Sequence, residues 1–476
     1  MEHQRWPGST NWRLQQRMPS FRIEEAASDL YVPKKRQSDV DSILRLSQLS
    51  EYRRQNGFTS PHVSLRERIT HFTWPWFECV MSTGALAALL GTQDGESPFY
   101  DTDLRHTILR KVGQTFFILE LLLFYLFSFL ICVRFWIRPA TLKASFHHPH
   151  ESFFYGTFWV SIALILYGTQ QYVVPVVIRI TGEESPLWLH MTLEACFWIY
   201  AASALQLVIF QYHVIFSEER LQIAKAAMPT WILPAYPFII MGPLAAVILK
   251  DSGRPVARVD SAAPMLIGGI FFAGLGWSLA FIMYTVYFTR LISGALPRPS
   301  KRPDMFVAVG PAGYTATTLA SLGMLAPKVI PTTYLDIHSR VPTGDLWKAM
   351  SIPAAMFVWL LGFWFCAQAV VSTLRGARKM RFALSWWAFI FPNAGLTMGM
   401  YKIGIAIDST SIQDIVVPAV TAVLVAVWVL VAVMNVVAVW RGDVLWPGKD
   451  EDTEDMVDLM AERDSWDGEK KAGHDD

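Results

Sequence analysis

The run VLVAVWVLVAVMNVVAVW (423–440) carries no charged residue and a single side-chain amide, Asn435. A hydrocarbon layer about 30 Å thick is crossed by roughly 20 apolar residues rising about 1.5 Å each. This run is that long, and so is the stretch around LELLLFYLFSFLICV (119–133). Both are continuously apolar rather than alternating, which excludes the period-two pattern of a membrane β-barrel. The whole composition agrees with a chain embedded in lipid. It is 53% hydrophobic and only 17% charged, where a soluble domain carries about a quarter charged residues. The 41 basic and 40 acidic residues nearly cancel to +1, so the balance does not point to nucleic acid. Nineteen Trp and thirty Phe are too many for a disordered chain.

Working outward, ten stretches meet the length test, near 72–91, 114–133, 153–174, 188–214, 229–249, 264–289, 305–327, 351–374, 383–407 and 413–440. The fold class expected is an all-α polytopic membrane protein with ten transmembrane helices. The domains are a polar N-terminal tail (1–71), a ten-helix transmembrane domain (72–440) and an acidic C-terminal tail (441–476). An even count puts both termini on one side, and the segments on that side hold most of the basic residues. The loops RLISGALPRPSKR (290–302) and RGARKMR (375–381) are the clearest anchors, so both tails are expected in the cytosol. The N-terminal tail begins with no apolar core, and no cleavable signal peptide is expected. Its YVPKKRQSD segment (31–39) reads as a basic stretch facing anionic lipid. The acidic KDEDTEDMVDLMAERD (449–464) is given no chemical role. The four cysteines, at 79, 132, 196 and 366, all fall in apolar stretches and are expected as buried thiols rather than disulfides.

Helix-disturbing residues concentrate in the odd-numbered spans. Pro75 and Gly84 lie in the first, Gly156 and Gly168 in the third, and Pro234, Pro237, Gly242 and Pro243 in the fifth. The seventh has Gly310, Pro311, Gly313 and Gly323; the ninth has Pro392, Gly395, Gly399 and Gly404. Spans two and four have neither Gly nor Pro, although six, eight and ten have some. A proline frees a backbone carbonyl that cannot face lipid. Pro75, Pro234, Pro311 and Pro392 are therefore expected helix breaks, shielded by protein or lining a water-filled path. Five helical hairpins, odd helices inward around a central pore and even helices outward, satisfy both demands. Close packing by small residues is the simpler alternative.

Several polar groups lie at membrane depth, where each is a functional candidate. Lys402 either snorkels to the interface or offers positive charge to an anion near the outer mouth. Glu78 is the candidate proton site; Glu120 and Glu194 read as structural. Span seven presents Tyr314, Thr315, Thr317 and Thr318 after its Gly-Pro break, and span nine presents Asn393 and Thr397 around Pro392. Hydroxyls, an amide and the N-terminal ends of interrupted helices suit small anions. Catalytic signatures are missing: the sequence has no GxSxG, HExxH, P-loop or CxxC. The cluster FHHPHE (146–151), with His147, His148 and His150, could bind a metal but has no second matching set. No cofactor or metal is expected.

The strings SWWAFIFPNAGLTMGMYKIG (385–404), RITHFTWPWFECVMSTGALAALLG (68–91) and MFVAVGPAGYTATTLASLG (305–323) resemble the fungal malic acid transport proteins of the tellurite-resistance/dicarboxylate transporter family. That family also includes plant slow anion channels and fungal sulfite exporters. The resemblance covers about residues 65–440. It implies ten helices in five hairpins around a central pore, a homotrimer, and a fungal plasma membrane setting. It also implies that the phenylalanine before the proline, Phe391, occludes the pore. Thr315, Thr318, Asn393 and Lys402 then lie along the substrate path. Malate-like C4-dicarboxylates are the expected substrates, with export of sulfite, another inorganic anion or a carboxylate secondary metabolite as the alternatives. A membrane-embedded enzyme built on the histidine loop is the alternative of a different class.

Overall fold

Five helices of this chain begin in one way, with a tight 3-10 turn that passes into an α-helix. The turns are Trp74–Trp76, Glu151–Phe154, Pro229–Ala235, Pro303–Ala308 and Leu384–Phe389. They lead into α1 (Phe77–Thr92), α3 (Tyr155–Gly168), α5 (Met241–Lys250, through the short turn Tyr236–Ile239), α7 (Val309–Val329) and α9 (Phe391–Ala406). Prolines account for four of these five starts, all but that of Glu151–Phe154. Pro75, Pro229, Pro234 and Pro303 lie within the turns, and Pro392 occupies the first helical turn of α9. Proline is tolerated there because the first turn has no intrahelical acceptor for its missing N–H. Pro311 also lies in a first turn, that of α7, and the helix runs through it unbroken. The expected breaks thus fall at helix starts rather than mid-span.

Between them run α2 (Asp103–Ile137), α4 (Leu187–Glu218), α6 (Val259–Ile292), α8 (Thr343–Gly376) and α10 (Val417–Arg441). The computed structural model describes residues 64–93, 103–147, 151–182, 187–218, 227–250, 259–292, 296–331 and 341–445. The basic segment 31–39, the acidic segment 449–464, His148 and His150 lie outside them. No strand occurs among the described residues.

Contacts sort the helices into two layers. α1 touches α3, α3 touches α5, α5 touches α7, α7 touches α9, and α9 touches α1, which closes a ring. The five 3-10 turns touch in the same cyclic order. Each even helix packs against the inner helix before it and the one after it: α2 on α1 and α3, α6 on α5 and α7, α10 on α9 and α1. Burial follows this order. The apolar window of 229–250 is 100% buried, whereas that of 412–441 is 22% buried. Leu122, Tyr125 and Phe129 on α2, Phe357 and Leu360 on α8, and Val433 and Val436 on α10 are exposed, as a face toward lipid requires.

Seven helical stretches of the described residues are long and apolar enough to cross a membrane on their own. The other three expected spans, those of α1, α7 and α9, do not reach that threshold. Their helices are short or rich in Gly, Ser and Thr, and neighbouring helices cover them. A helix walled in by protein needs no apolar surface of its own.

Arginines tie together the end of the molecule that carries the 3-10 turns. Arg134 holds Glu151 through two contacts, at 2.5 and 3.2 Å, and donates to the Phe72 carbonyl at 2.9 Å. The starts of α1 and α3 are thereby fixed to the end of α2. Arg68 donates to Val439 O at 2.8 Å, Arg290 to Ala227 O at 2.8 Å, and Arg302 to Ser372 O at 2.8 Å. Arg68 and the left-handed Gly442 satisfy carbonyls at the end of α10 that have no helical partner. The cysteines require a correction. All four are free thiols, but only Cys79 is buried, Cys132 is exposed, and Cys196 and Cys366 are intermediate. Apolar sequence marked membrane depth and could not separate a protein-facing from a lipid-facing side.

Candidate functional site

Aromatic rings from three inner segments meet at Phe391. Phe391, the first residue of α9, is 1% exposed. Its ring lies 4.7 Å from that of Tyr314 on α7, at 30°, and 5.5 Å from that of Tyr236 in the turn leading into α5, at 40°. The Tyr314 hydroxyl donates to the Phe391 carbonyl at 3.2 Å. The Tyr236 hydroxyl donates to Val307 O, and Tyr284 of α6 donates to Ala308 O at 2.6 Å. Tyrosine hydroxyls therefore bond the last two carbonyls before the α7 start and one at the α9 start.

Glycines set how closely these elements approach. A Cβ on Gly313 of α7 would collide with the Leu396 backbone of α9, and one on Gly395 would collide with the Tyr314 ring. The Thr317 hydroxyl lies 2.9 Å from Gly313 O on its own helix and 3.2 Å from Gly395 O across the contact. Trp359 of α8 donates to Leu396 O at 2.9 Å from the outer side. Ser82 of α1 donates to Trp387 O at 3.0 Å, which fixes the start of α9 from the other flank.

Helical geometry sorts the sequence candidates, since each residue turns the helix by about 100°. Lys402 is eleven residues after Phe391, so it returns to nearly the same face about three turns along. It is 9% exposed. Asn393 is two residues after Phe391 and points about 200° away from it. Its amide donates to Phe389 O at 2.8 Å, and its Oδ1 accepts from Cys366 of α8 at 3.3 Å. Thr318 lies about 40° around α7 from Tyr314. Its hydroxyl bonds Tyr314 O at 2.8 Å, and the side chain packs on Gly242 of α5. Thr315 lies about 100° around from Tyr314, buried, and its hydroxyl has no partner among the described residues. Phe391, Tyr314, Thr318 and Lys402 share one side of their helices. Asn393 and Thr315 do not.

The carboxyls separate likewise. Glu78 is buried in the first turn of α1. Glu120 of α2 is fully buried, its carboxyl pressed on Gly84 of α1, and neither oxygen has a partner among the described residues. The outer helix that carries it turns this residue inward. Glu194 is half-buried on α4. His147 bonds Lys143 O at 2.7 Å, and no group of three metal-ligating side chains occurs among the described residues.

Sequence reasoning missed Tyr236 as a partner of Phe391. Its signal was a lone phenol in LPAYPF (233–238), between two prolines in an otherwise apolar run.

Residues 71–436 match the family described as SLAC1, voltage-dependent anion channel. The chain is 32% identical over 396 residues to the malic acid transport protein of Schizosaccharomyces pombe, covering 83% of this chain and 84% of that protein. A putative malic acid transport protein of the same yeast is 29% identical over 405 residues, covering 84% and 88%. A sulfite efflux pump of Trichophyton rubrum is 27% identical over 368 residues, covering 76% and 89%.

Proposed function

This chain belongs to the SLAC1 family of voltage-dependent anion channels, and we propose that it carries C4-dicarboxylates such as malate through its inner ring of helices. It is an anion transporter of the membrane, and the finer reading rests on one observation above all. Five helix starts meet in a closed cycle, and Phe391 stands at one of them between Tyr314 and Tyr236. Helix N-termini carry partial positive charge. Five of them converging on one end give an anion an attractive approach without a ring of basic side chains. An aromatic ring across the path blocks ions by excluding water until it moves.

In this account the polypeptide crosses the bilayer ten times as five hairpins around a central pore, with both tails cytosolic. It assembles as a homotrimer in the plasma membrane. Phe391 is the gate, Lys402 supplies positive charge about three turns beyond it, and Thr318 lies along the path. Thr315 borders the path from the α7 flank. Asn393 acts from behind, holding the start of α9 to α8. Glu78, in the first turn of α1, is the proton site if uptake is coupled to protons.

Malate is preferred as substrate because the two relatives of highest identity cited above are named for malic acid. Sulfite efflux is the second reading, favoured by the named activity of a more distant relative. Initial rates of labelled malate uptake into proteoliposomes test the gate. Phe391→Ala is expected to raise them at least several-fold over the parent protein, with the same amount of folded protein inserted. Equal rates would remove Phe391 from the role of gate.

A further inference from the structure

The gate has a second part on a neighbouring helix. Phe391 is held in place by contacts that converge on Tyr314 from three directions. The Tyr314 ring lies over the Phe391 ring at 4.7 Å. Its hydroxyl reaches past that ring to the Phe391 main-chain carbonyl at 3.2 Å. The phenol ring also packs on Gly395, one turn further along α9, where any Cβ would collide with it. Tyr314 thus meets α9 at residue 391 and at residue 395, with its ring tilted 30° to that of Phe391. Tyr314 and Phe391 are each 1% exposed, so both rings are packed on all sides by protein.

We infer that Tyr314 is the positioning residue of the gate: its hydroxyl latches the start of α9 and its ring holds Phe391 across the path. This rests on the gate reading of Phe391 given above. To open, Phe391 must slide off the Tyr314 face, and the latch opposes any shift of the α9 start that would allow this. The Thr317 hydroxyl and Trp359 hold α9 further along, at Gly395 O and Leu396 O. The bend that opens the path is therefore confined to the first turn, where Tyr314 alone of these side chains bonds the carbonyl of residue 391.

The test compares four purified variants in proteoliposomes, reading both labelled malate uptake and chloride efflux, normalised to monodisperse protein. Tyr314→Phe keeps the ring and deletes the hydroxyl. It is expected to raise flux about 2- to 10-fold, the span of one net hydrogen bond. Tyr284→Phe deletes a comparable bond at Ala308 O without touching Phe391, and is expected to leave flux unchanged. In a Phe391→Ala background, adding Tyr314→Phe is expected to change nothing, because the latch then holds no ring.

Phe391→Ala raising flux while Tyr314→Phe does not would overturn the latch and leave the gate standing. Equal gains from Tyr314→Phe and Tyr284→Phe would also overturn it, as general loosening. No change from Phe391→Ala in either flux would overturn the gate and the latch together.

Discussion

Phe391, Lys402 and Asn393 lie on one short helix, yet they face two different ways, and this decides their roles. Residues eleven apart on a helix nearly coincide in direction, and residues two apart oppose each other. Lys402 therefore accompanies Phe391, and Asn393 turns to Cys366 on α8. Both polar residues were visible in the sequence as groups at membrane depth; which face of the helix meets the centre was not. That phase depends on packing against α7 and α8, set by glycines at 313 and 395 whose partners are distant in sequence. The partnership of Tyr236 with Phe391 was hidden for the same reason, since it joins spans five and nine. Glu120 shows the reverse limit. Its helix faces outward, as the sequence implied, but the residue itself points inward onto Gly84. At this scale the proton question also has a test. Glu78→Gln is expected to flatten the pH dependence of malate uptake while keeping the protein folded. A pH profile parallel to that of the parent protein would take the role away from Glu78.

Among elements, the contact between α7 and α9 is the one that positions Phe391, the proposed gate. It depends on backbones that touch where Gly313 meets Leu396, a contact no side chain can enter. Gly313→Ala must push the helices apart, an overpacking cost of about 1–3 kcal/mol. Gly274 on α6 offers the matched comparison, because a Cβ there meets nothing within 4 Å. Gly274→Ala is expected to be neutral or to stabilise by up to about 1 kcal/mol, the helix propensity gained over glycine. Thermal unfolding in detergent should then show a lower midpoint for Gly313→Ala and an unchanged or higher one for Gly274→Ala. Similar shifts for both would mean that the two helices are free to adjust. The 3-10 turns at the five helix starts were legible only as prolines and glycines clustered in the odd spans. Their pattern was plain in the sequence, but a proline alone does not say whether it bends a helix or begins one.

Across the whole molecule, alternation is the organising rule, and it was the part most legible in the sequence. Spans rich in Gly, Pro and small polar residues form the buried ring, and smoother apolar spans surround it. The physical reason is the cost of exposing unsatisfied backbone to lipid, which acts on every span and so leaves a trace in each. Three inner helices fell short of the apolar threshold for that same reason, being shielded by their neighbours. The basic residues show a similar economy. Arg68, Arg134, Arg290 and Arg302, counted in the sequence only as markers of the cytosolic side, bond carbonyls or a carboxylate at the end bearing the 3-10 turns. Lys402 is the one basic residue of α9, and the convergent helix starts add positive potential for an anion.

The central claim is that this ring selects and moves dicarboxylates. The most direct measurement is counterflow: labelled malate outside proteoliposomes preloaded with unlabelled malate, with succinate, sulfite, nitrate or chloride added as competitors. Transient accumulation of label above equilibrium is expected, suppressed more strongly by succinate than by sulfite, nitrate or chloride. No accumulation, or strongest suppression by sulfite, would contradict it.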